Sequence, residues 1–398
     1  MVRWVRQLEG LDWDIHLFPC TDASIHSALR KTTVHNRNSR ATRIDRSAPE
    51  VRSYDEFWPV LGSNWPFPRG MSCAKRLSGS WFPWDDLAWR LAQTIRKLQP
   101  DIIHSLEIQH AGYLTLDARE HFSGKFPTWI VANWGSDIYL FGRLKEHRAR
   151  IKAVLAACDF YNCECHRDTA LARAFGCKGE MLAVLPNTGG IDPAKLRELR
   201  QPGPPSGRRL ILLKGYQTWA GRALVGLRAL RLAAEGLKGY RIGVYLAGEE
   251  SVRISAELLE DETGIPVELI PTCSHEEMLR WHGRARISIG LSISDAISTS
   301  FLEAIMMGSF PIQSNTSCAN EWIKCGESGF LVPPEDPEII ADAIRRAVAD
   351  DDLVDRAAEI NAQTVRERLD ESVIRPQVVA MYERVAAQAA RKGKSMSV

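Results

Sequence analysis

Two carboxylates, Asp295 and Glu303, bracket the part of this chain best suited to chemistry. They flank Ala296-Ile297-Ser298-Thr299-Ser300-Phe301-Leu302, with Ala304-Ile305-Met306-Met307-Gly308 following. The small hydroxyl residues give way to an apolar face of Phe301, Leu302, Ile305 and Met306, which predicts a helix beginning near Thr299. The apolar run Ile287 to Leu291 just before it reads as a strand. A helix start placed after a strand presents unsatisfied amides and a partial positive charge. Ser298, Thr299 and Ser300 therefore mark an anion site suited to a diphosphate. Asp295 falls in the loop before the helix and Glu303 about one turn inside it. Carboxylates so placed can accept from the vicinal hydroxyls of a ribose or a hexose. The alternative is plain capping by Ser298 or Thr299, with Glu303 on a solvated face.

Further candidates lie elsewhere in the chain. Lys214, Gly215 and Arg222 follow the apolar run Leu210 to Leu213. Arg222 can fork two oxygens and keeps its charge in a cleft; the alternative is two cations in solvent. Asp137 closes Trp134-Gly135-Ser136-Asp137 after the apolar Thr128 to Ala132, as a sugar contact or as a helix cap. His104, His110 and Trp134 are candidates for an acceptor surface, and a satisfied polar residue is the alternative for each histidine. Cys158, Cys163, Cys165, His166 and Cys177 cluster without paired C-x-x-C spacing. Cys163 and Cys165 would point to one side of a strand end. Buried thiols are expected there rather than zinc.

These residues need elements to hold them. Val2 to Glu9 reads as a helix and Trp13 to Pro19 as a strand closed by proline. Leu87 to Leu98 reads as a helix, and Asp101 to Leu106, Thr128 to Ala132 and Asp159 to Asn162 as strands. A further helix runs to Phe175, where Gly176 ends it. Such alternation implies parallel βαβ units and a doubly wound sheet. The run Gln201-Pro202-Gly203-Pro204-Pro205-Ser206-Gly207 supports neither helix nor sheet and reads as a linker. After it the alternation restarts with strands at Leu210 to Leu213, Arg241 to Leu246, Val267 to Ile270, Ile287 to Leu291 and Pro311 to Gln313, and a helix at Ala223 to Ala234. The expected plan is two α/β domains, 1–200 for an acceptor and 208–370 for a donor, with the linker 201–207 between them. Residues 371–398 add a last helix, Val373 to Ala390, and a mobile basic tail, Arg391 to Lys394, packing back on the first domain. Ligands of such sheets bind beyond the carboxyl ends of the strands.

The 294–312 segment, with Glu327-Ser328-Gly329-Phe330-Leu331-Val332-Pro333-Pro334, closely resembles the carboxy-terminal signature of the retaining glycosyltransferases of GT-B fold, family four (group 1). Glu303 matches the second Glu of that family's pair, and Asp295 stands where the first is expected, one methylene shorter. Lys214 to Gly215 and Gly221-Arg222 lie near the family's diphosphate clamp, with Tyr216 at the usual Arg position. Ile130 to Asp137 is similar to its strand and "HGSD" turn, with Trp134 for the His. Pro186 to Asp192 is similar to its turn at the domain junction. The resemblance implies two Rossmann-like domains with a cleft between them. It implies transfer from a nucleoside diphosphate sugar to a glycan, lipid-linked or small-molecule acceptor with retention, in surface polysaccharide or glycoconjugate synthesis. Catalytic roles fall to Asp137, Asp295, Arg222 and Lys214, and donor binding to Glu303, Ser298, Thr299, Ser300 and Gly215. No cofactor is implied, and metal independence is expected, since no Asp-x-Asp pair stands where it would hold a nucleotide-bound ion. Family members open with a strand and a glycine-rich loop before the helix that here spans Val2 to Glu9, so the expectation is either a truncated start or a first sheet without its usual opening strand. A catalytically weak nucleotide-sugar binder, or an epimerase or phosphorylase-like enzyme on the same fold, is the alternative.

Composition sets the outer bounds. The chain has 398 residues, 45% hydrophobic and 25% charged, as in ordinary globular proteins. Its net charge of +2 is far from that of a nucleic-acid-wrapping protein. No run of eighteen apolar residues occurs, and charged residues interrupt the first fourteen, so neither a membrane span nor a signal peptide is expected. Nine cysteines in such a chain read as reduced thiols. A cytoplasmic protein is expected, with peripheral contact to the inner membrane face through the basic stretch Arg30, Lys31, Arg37, Arg40, Arg43 and Arg46. The aromatic run holding Trp58, Trp65, Trp81, Trp84 and Trp89 reads as an acceptor surface or as loop packing.

Overall fold

The computed structural model describes residues 2–20, 26, 28–35, 41–44 and 86–395. Trp58, Trp65, Trp81 and Trp84 lie outside them, as do Arg37, Arg40 and Arg46. Residues 32–35 and 41–44, within and beside the basic stretch, form strands. β-Branched Thr32, Thr33 and Val34 favour the pleat. They make β2 (Thr32–His35), parallel to β1 (Ile15–Leu17) and antiparallel to β3 (Ala41–Ile44). A second sheet holds β4 (Ile102–Leu106), β5 (Thr128–Asn133), β6 (Phe160–Cys163) and β7 (Glu180–Met181), parallel and in chain order.

The largest sheet contains β8 (Leu210–Lys214), β9 (Arg241–Tyr245), β10 (Val267–Ile270), β11 (Ile287–Gly290), β12 (Phe310–Ser314) and β13 (Phe330–Val332), all parallel. Continuous apolar runs such as Leu210 to Leu213 form it because both faces are covered. Ile211 and Leu213 pack on one face with Leu227, Leu230, Val244 and Ile344. Leu210 and Leu212 face the other way, toward Ile270 and Ala285. The strand order is β10-β9-β8-β11-β12-β13. The chain therefore steps outward from β8 and returns to begin again at β11. The carboxyl ends of those two strands diverge into a crevice, the usual ligand position in such sheets.

The linker ends in a tight turn, Pro205–Gly207, and Ser206 donates from its amide and hydroxyl to Asp355 at 2.9 and 2.7 Å. The last helix runs Glu371–Ser395, so Arg391 to Lys394 continue the helix and are not a separate tail. Ile374, Val378, Met381 and Val385 on it pack against Trp4, Leu8, Ile130 and Phe160 of the first domain. Arg375 adds a bond from Nε to the Gln7 carbonyl at 3.0 Å. Among the described residues no helix is long and apolar enough to cross a membrane.

Candidate functional site

The donor side, named like the acceptor side below for the ligand expected there, forms where β8 and β11 end. Lys214, the last residue of β8, reaches Ser298 Oγ at 3.3 Å. Two glycines let the backbone close in behind it. A Cβ on Gly215 would lie 2.8 Å from Val244 Cγ1, and one on Gly221 1.9 Å from the Tyr216 carbonyl. The loop they permit is stitched to the segment after β11, through Arg222 N to Leu291 O at 3.1 Å and Ile293 N to Ala220 O at 2.9 Å. The helix Thr299–Met306 then begins beside Lys214. Ser298 is its N-cap residue but makes no side-chain cap bond, which corrects the capping alternative. The amides of the first turn thus have no side chain from position 298 upon them, and a cation stands next to them. Thr299 and Ser300 are half-buried at this mouth.

Arg222 is placed differently from Lys214. Its Nε donates to Glu335 at 3.0 Å and its Nη1 to the carbonyl of Gly221 at 2.9 Å. Expected as the stronger half of a clamp, it is turned back on its own loop, because it starts the helix Ala223–Leu232 and folds over the preceding carbonyls. Asp295 lies across from Lys214. Burial raises its carboxyl above the ordinary range, while Lys214 and the Ala296 amide oppose the rise.

Glu303 is buried, not on a solvated face. It accepts from His275 Nε2 at 2.9 Å and Arg3 Nη2 at 3.1 Å. Burial alone would raise its pKa, but these partners outweigh it and hold the carboxyl below its usual value. His282 Nε2 lies 4.0 Å away, and burial pushes that imidazole down to about 4, so the fixed positive charge beside Glu303 is the Arg3 guanidinium.

The acceptor side is built on the ends of β4, β5 and β6. After β5 the chain turns through Gly135 at φ +97°. Asp137 is buried below this turn, and its Oδ2 accepts from the amides of Ile108 at 3.0 Å and Trp134 at 3.3 Å. It therefore ties the turn after β4 to the turn after β5 and does not present that oxygen to a sugar. Burial and the nearby Glu107 push its carboxyl up to about 7, against the pull of those amides. His110 is exposed and its Nδ1 meets Glu107 at 3.1 Å, on the rim of this side. Glu107 takes φ +102° and accepts from the amides of His110 and Ala111 at 2.6 and 2.7 Å. Trp134 is half-buried, and its Nε1 is enclosed without a partner. His104, expected as an acceptor candidate, is engaged in packing between the first domain and the last helix. It packs against Trp4 and Tyr382, receives the Tyr382 hydroxyl on Nδ1 at 2.7 Å, and is pushed down to about 3 by burial.

The two sides touch. A Cβ on Gly135 would fall 2.1 Å from the Ala296 nitrogen, so only glycine permits this approach. Ser294 donates to Ser136 Oγ at 2.9 Å, and the rings of Phe141 and Trp219 lie 5.3 Å apart. Sequence reasoning missed the main tie, Arg167. It donates to the Asp295 carbonyl at 2.8 Å, to the Thr316 carbonyl at 2.9 Å and to Asp168 at 2.8 Å. Glu321 answers from the donor side by accepting the amide of His166 at 2.9 Å. Glu164, also missed, is buried and raised well above the carboxylate range by burial; it accepts from Asn187 N at 2.7 Å, at the domain junction. The available signal was position: Glu164 to Asp168 form a polar string just beyond the end of a parallel strand.

The five-residue cysteine cluster separates in space. Cys158 Sγ lies 3.9 Å from Cys177 Sγ, and Cys163 Sγ lies 3.2 Å from Thr169 Oγ1. Cys165 does not share a side with Cys163; it faces Cys318 of the donor domain. Among the described residues, Cys165, Cys318 and Glu321 are the group with metal-ligand spacing.

Known proteins match this arrangement domain by domain. The family model for glycosyl transferases group 1 matches residues 220–364, and that for glycosyl transferase 4-like matches 77–163. A D-inositol 3-phosphate glycosyltransferase of Nocardioides sp. is 32% identical over 96 residues, which is 24% of this chain and 21% of that relative. The chain thus spans about a fifth of the length of the curated relative it matches. Among solved structures, sucrose-phosphate synthase from Thermosynechococcus elongatus superposes with a TM-score of 0.67 at 17% identity, over 97% of this chain and 92% of that one. An α,α-trehalose-phosphate synthase from Burkholderia xenovorans gives 0.61 at 14% identity, over 76% and 78%. Anabaena HepE, in complex with UDP-glucose, gives 0.58 at 13%, over 75% and 82%. At these identities the structural likeness is one of fold, a two-domain GT-B fold, within which residues 220–364 are similar to glycosyl transferases group 1 and residues 77–163 to glycosyl transferase 4-like proteins.

Proposed function

We propose that the chain transfers a sugar from a nucleoside diphosphate sugar to a hydroxyl acceptor with retention of anomeric configuration. The observation that carries this reading is Lys214 beside the helix start at Thr299, in the crevice between β8 and β11. The diphosphate oxygens accept from the amides of Thr299 to Phe301 and from Lys214. Charge that develops on the leaving diphosphate meets donors already in position. Asp295, in the loop before that helix, accepts from the sugar hydroxyls. Glu303 takes the ribose hydroxyls, which compete with Arg3 for its oxygens. On the facing side Asp137 holds the turn bearing Gly135 and Ser136 against the donor loop and acts as a positioning residue. Contact of the two sides excludes water, whose attack would waste the donor. This reading gives the diphosphate charge to Lys214 and amides and assigns none of it to a divalent ion, so turnover persists in a chelator.

The names of the similar proteins guide the choice of substrates. They include a transferase acting on an inositol phosphate, two sugar-phosphate synthases and a UDP-glucose complex. A panel of UDP-, GDP- and ADP-sugars is to be tried with phosphorylated small sugars, free sugars and a lipid-linked glycan as acceptors. Mass spectrometry identifies the product, and NMR of the new linkage reads its configuration. In calorimetry Glu303→Ala weakens nucleoside diphosphate binding by about tenfold, the loss of a charged hydrogen-bond acceptor. Unchanged affinity removes the ribose role. Binding without turnover across the whole panel supports the second reading, a nucleotide-sugar-binding protein, which Trp134 favours by placing an indole where the family carries an imidazole.

A further inference from the structure

Cys165 and Cys318 come from opposite domains and meet with their sulfurs 2.7 Å apart. Cys165 lies between β6 and the helix His166–Ala174, and Cys318 opens the turn Cys318–Glu321 after β12. Both are buried, at 0% and 1% exposure, with Ala296 completing their small cluster. Their neighbours belong to the donor loop. The Cys318 amide donates to the Ala296 carbonyl at 2.7 Å, and Arg167, two residues past Cys165, donates to the Asp295 carbonyl at 2.8 Å. By contrast Cys158 and Cys177, 3.9 Å apart, lie within one domain, where a bridge would restrain no domain movement.

We propose that Cys165 and Cys318 are a redox-modification site, forming a reversible disulfide that locks the acceptor domain onto the donor loop. A zinc ion is the competing occupant, since Glu321 lies within 4.8 Å of both sulfurs. The geometry favours the disulfide. Two thiolates on one tetrahedral zinc sit about 3.8 Å apart for Zn–S bonds of ~2.3 Å. Glu321 is moreover occupied as an acceptor for the amides of His166 and Arg167, at 2.9 and 3.3 Å.

The closed arrangement shields both thiols, and burial together with the shared Cys318 contact raises Cys165 far above the ordinary thiol range. Oxidation therefore starts when the domains part. The thiolate of one cysteine attacks hydrogen peroxide, an S–O bond forms, the O–O bond breaks, and the hydroxide that leaves takes up the proton the thiol had released and becomes water. On closure the second thiol attacks that sulfenic sulfur. The S–S bond forms, the S–O bond breaks and a second water leaves. Two thiols lose two electrons and one peroxide gains them. A dithiol reductant reverses the bond by exchange. In a reducing compartment such a bond is transient and redox-sensing. The locked form cannot open to exchange donor and product, a step that often limits turnover.

The test uses the full chain. Protein treated with hydrogen peroxide is alkylated without reduction, digested and mapped by mass spectrometry, and the reduced protein is assayed for bound zinc. The expected result is a peptide joining Cys165 to Cys318 that disappears with dithiothreitol, and no zinc. Alkylation of both cysteines after oxidation, a bridge from either to another cysteine, or one zinc per chain overturns the proposal. This readout needs no substrate, so it fails or succeeds independently of the transfer reaction. Once an acceptor is known, peroxide abolishes turnover in the wild type and dithiothreitol restores it. Cys165→Ser and Cys318→Ser retain turnover under peroxide. A cross-link that leaves turnover unchanged removes the lock.

Discussion

The two halves of the site handle their acids in opposite ways. On the donor side Glu303 sits among Arg3 and His275 and is held charged although it is buried. Asp295 faces Lys214, which opposes the effect of its burial. On the acceptor side Asp137 and Glu164 are buried without an ion-pair partner among the described residues, and both are raised. Burial penalises a charge everywhere, and what differs is whether a cation shares the site. The donor half thus sets its buried acids against cations. The acceptor half holds Asp137 raised to about 7 and meets its partner through the guanidinium groups of Arg167 and Arg3 as well as through hydroxyls, amides and rings.

The largest expected effect breaks the donor half. Lys214→Ala lowers kcat by on the order of 10²–10³, the usual loss when one preorganised donor is removed. Arg222→Ala loses less than about tenfold, since its guanidinium is engaged with the exposed Glu335 and such surface pairs contribute little. Steady-state kinetics on both variants checks the ranking, and a larger loss in Arg222→Ala reverses it.

The next effect breaks the junction between the halves. Gly135→Ala puts a methyl into the Ala296 backbone and a side chain at φ +97°. Turnover falls by about 10²-fold, as expected for a misplacement near 1 Å. Nucleoside diphosphate affinity, which belongs to the donor half alone, stays close to wild type in calorimetry. Equal losses in both measurements would mean that the halves do not act as separate binding units.

The smallest effect sharpens the electrostatic contrast. Asp137 has a folded pKa of about 7 against an ordinary 3.8. Between those values the folded chain holds a proton that the unfolded chain releases, so this group's contribution to stability falls as pH rises through that window. Asp137→Asn removes this contribution, and its melting temperature declines less than that of the wild type between pH 4 and 7. Parallel melting curves across that range would refute the raised carboxyl.

Much of the donor half was legible in the residues. Asp295, Ser298 and Glu303 lie close together along the chain, and a helix start after a strand is a local feature that spacing reports. The parallel alternation was equally local, because buried parallel strands read as continuous apolar runs. Whether Glu303 faced solvent was not legible. Its partners Arg3 and His275 come from other parts of the chain, and the opposite answer, a solvated face, was just as compatible with the helical pattern.

By itself, then, the order of residues determined the α/β plan and the identity of the acids and of Lys214. Tertiary structure alone decided which of those groups meet. It turned Arg222 away and Lys214 inward, packed His104 against Tyr382, and brought Arg167 and Cys165 across to the donor loop. The physical reason is that charge state, burial and reach across a cleft depend on neighbours distant in sequence, whereas periodicity and capping depend on neighbours a few residues away.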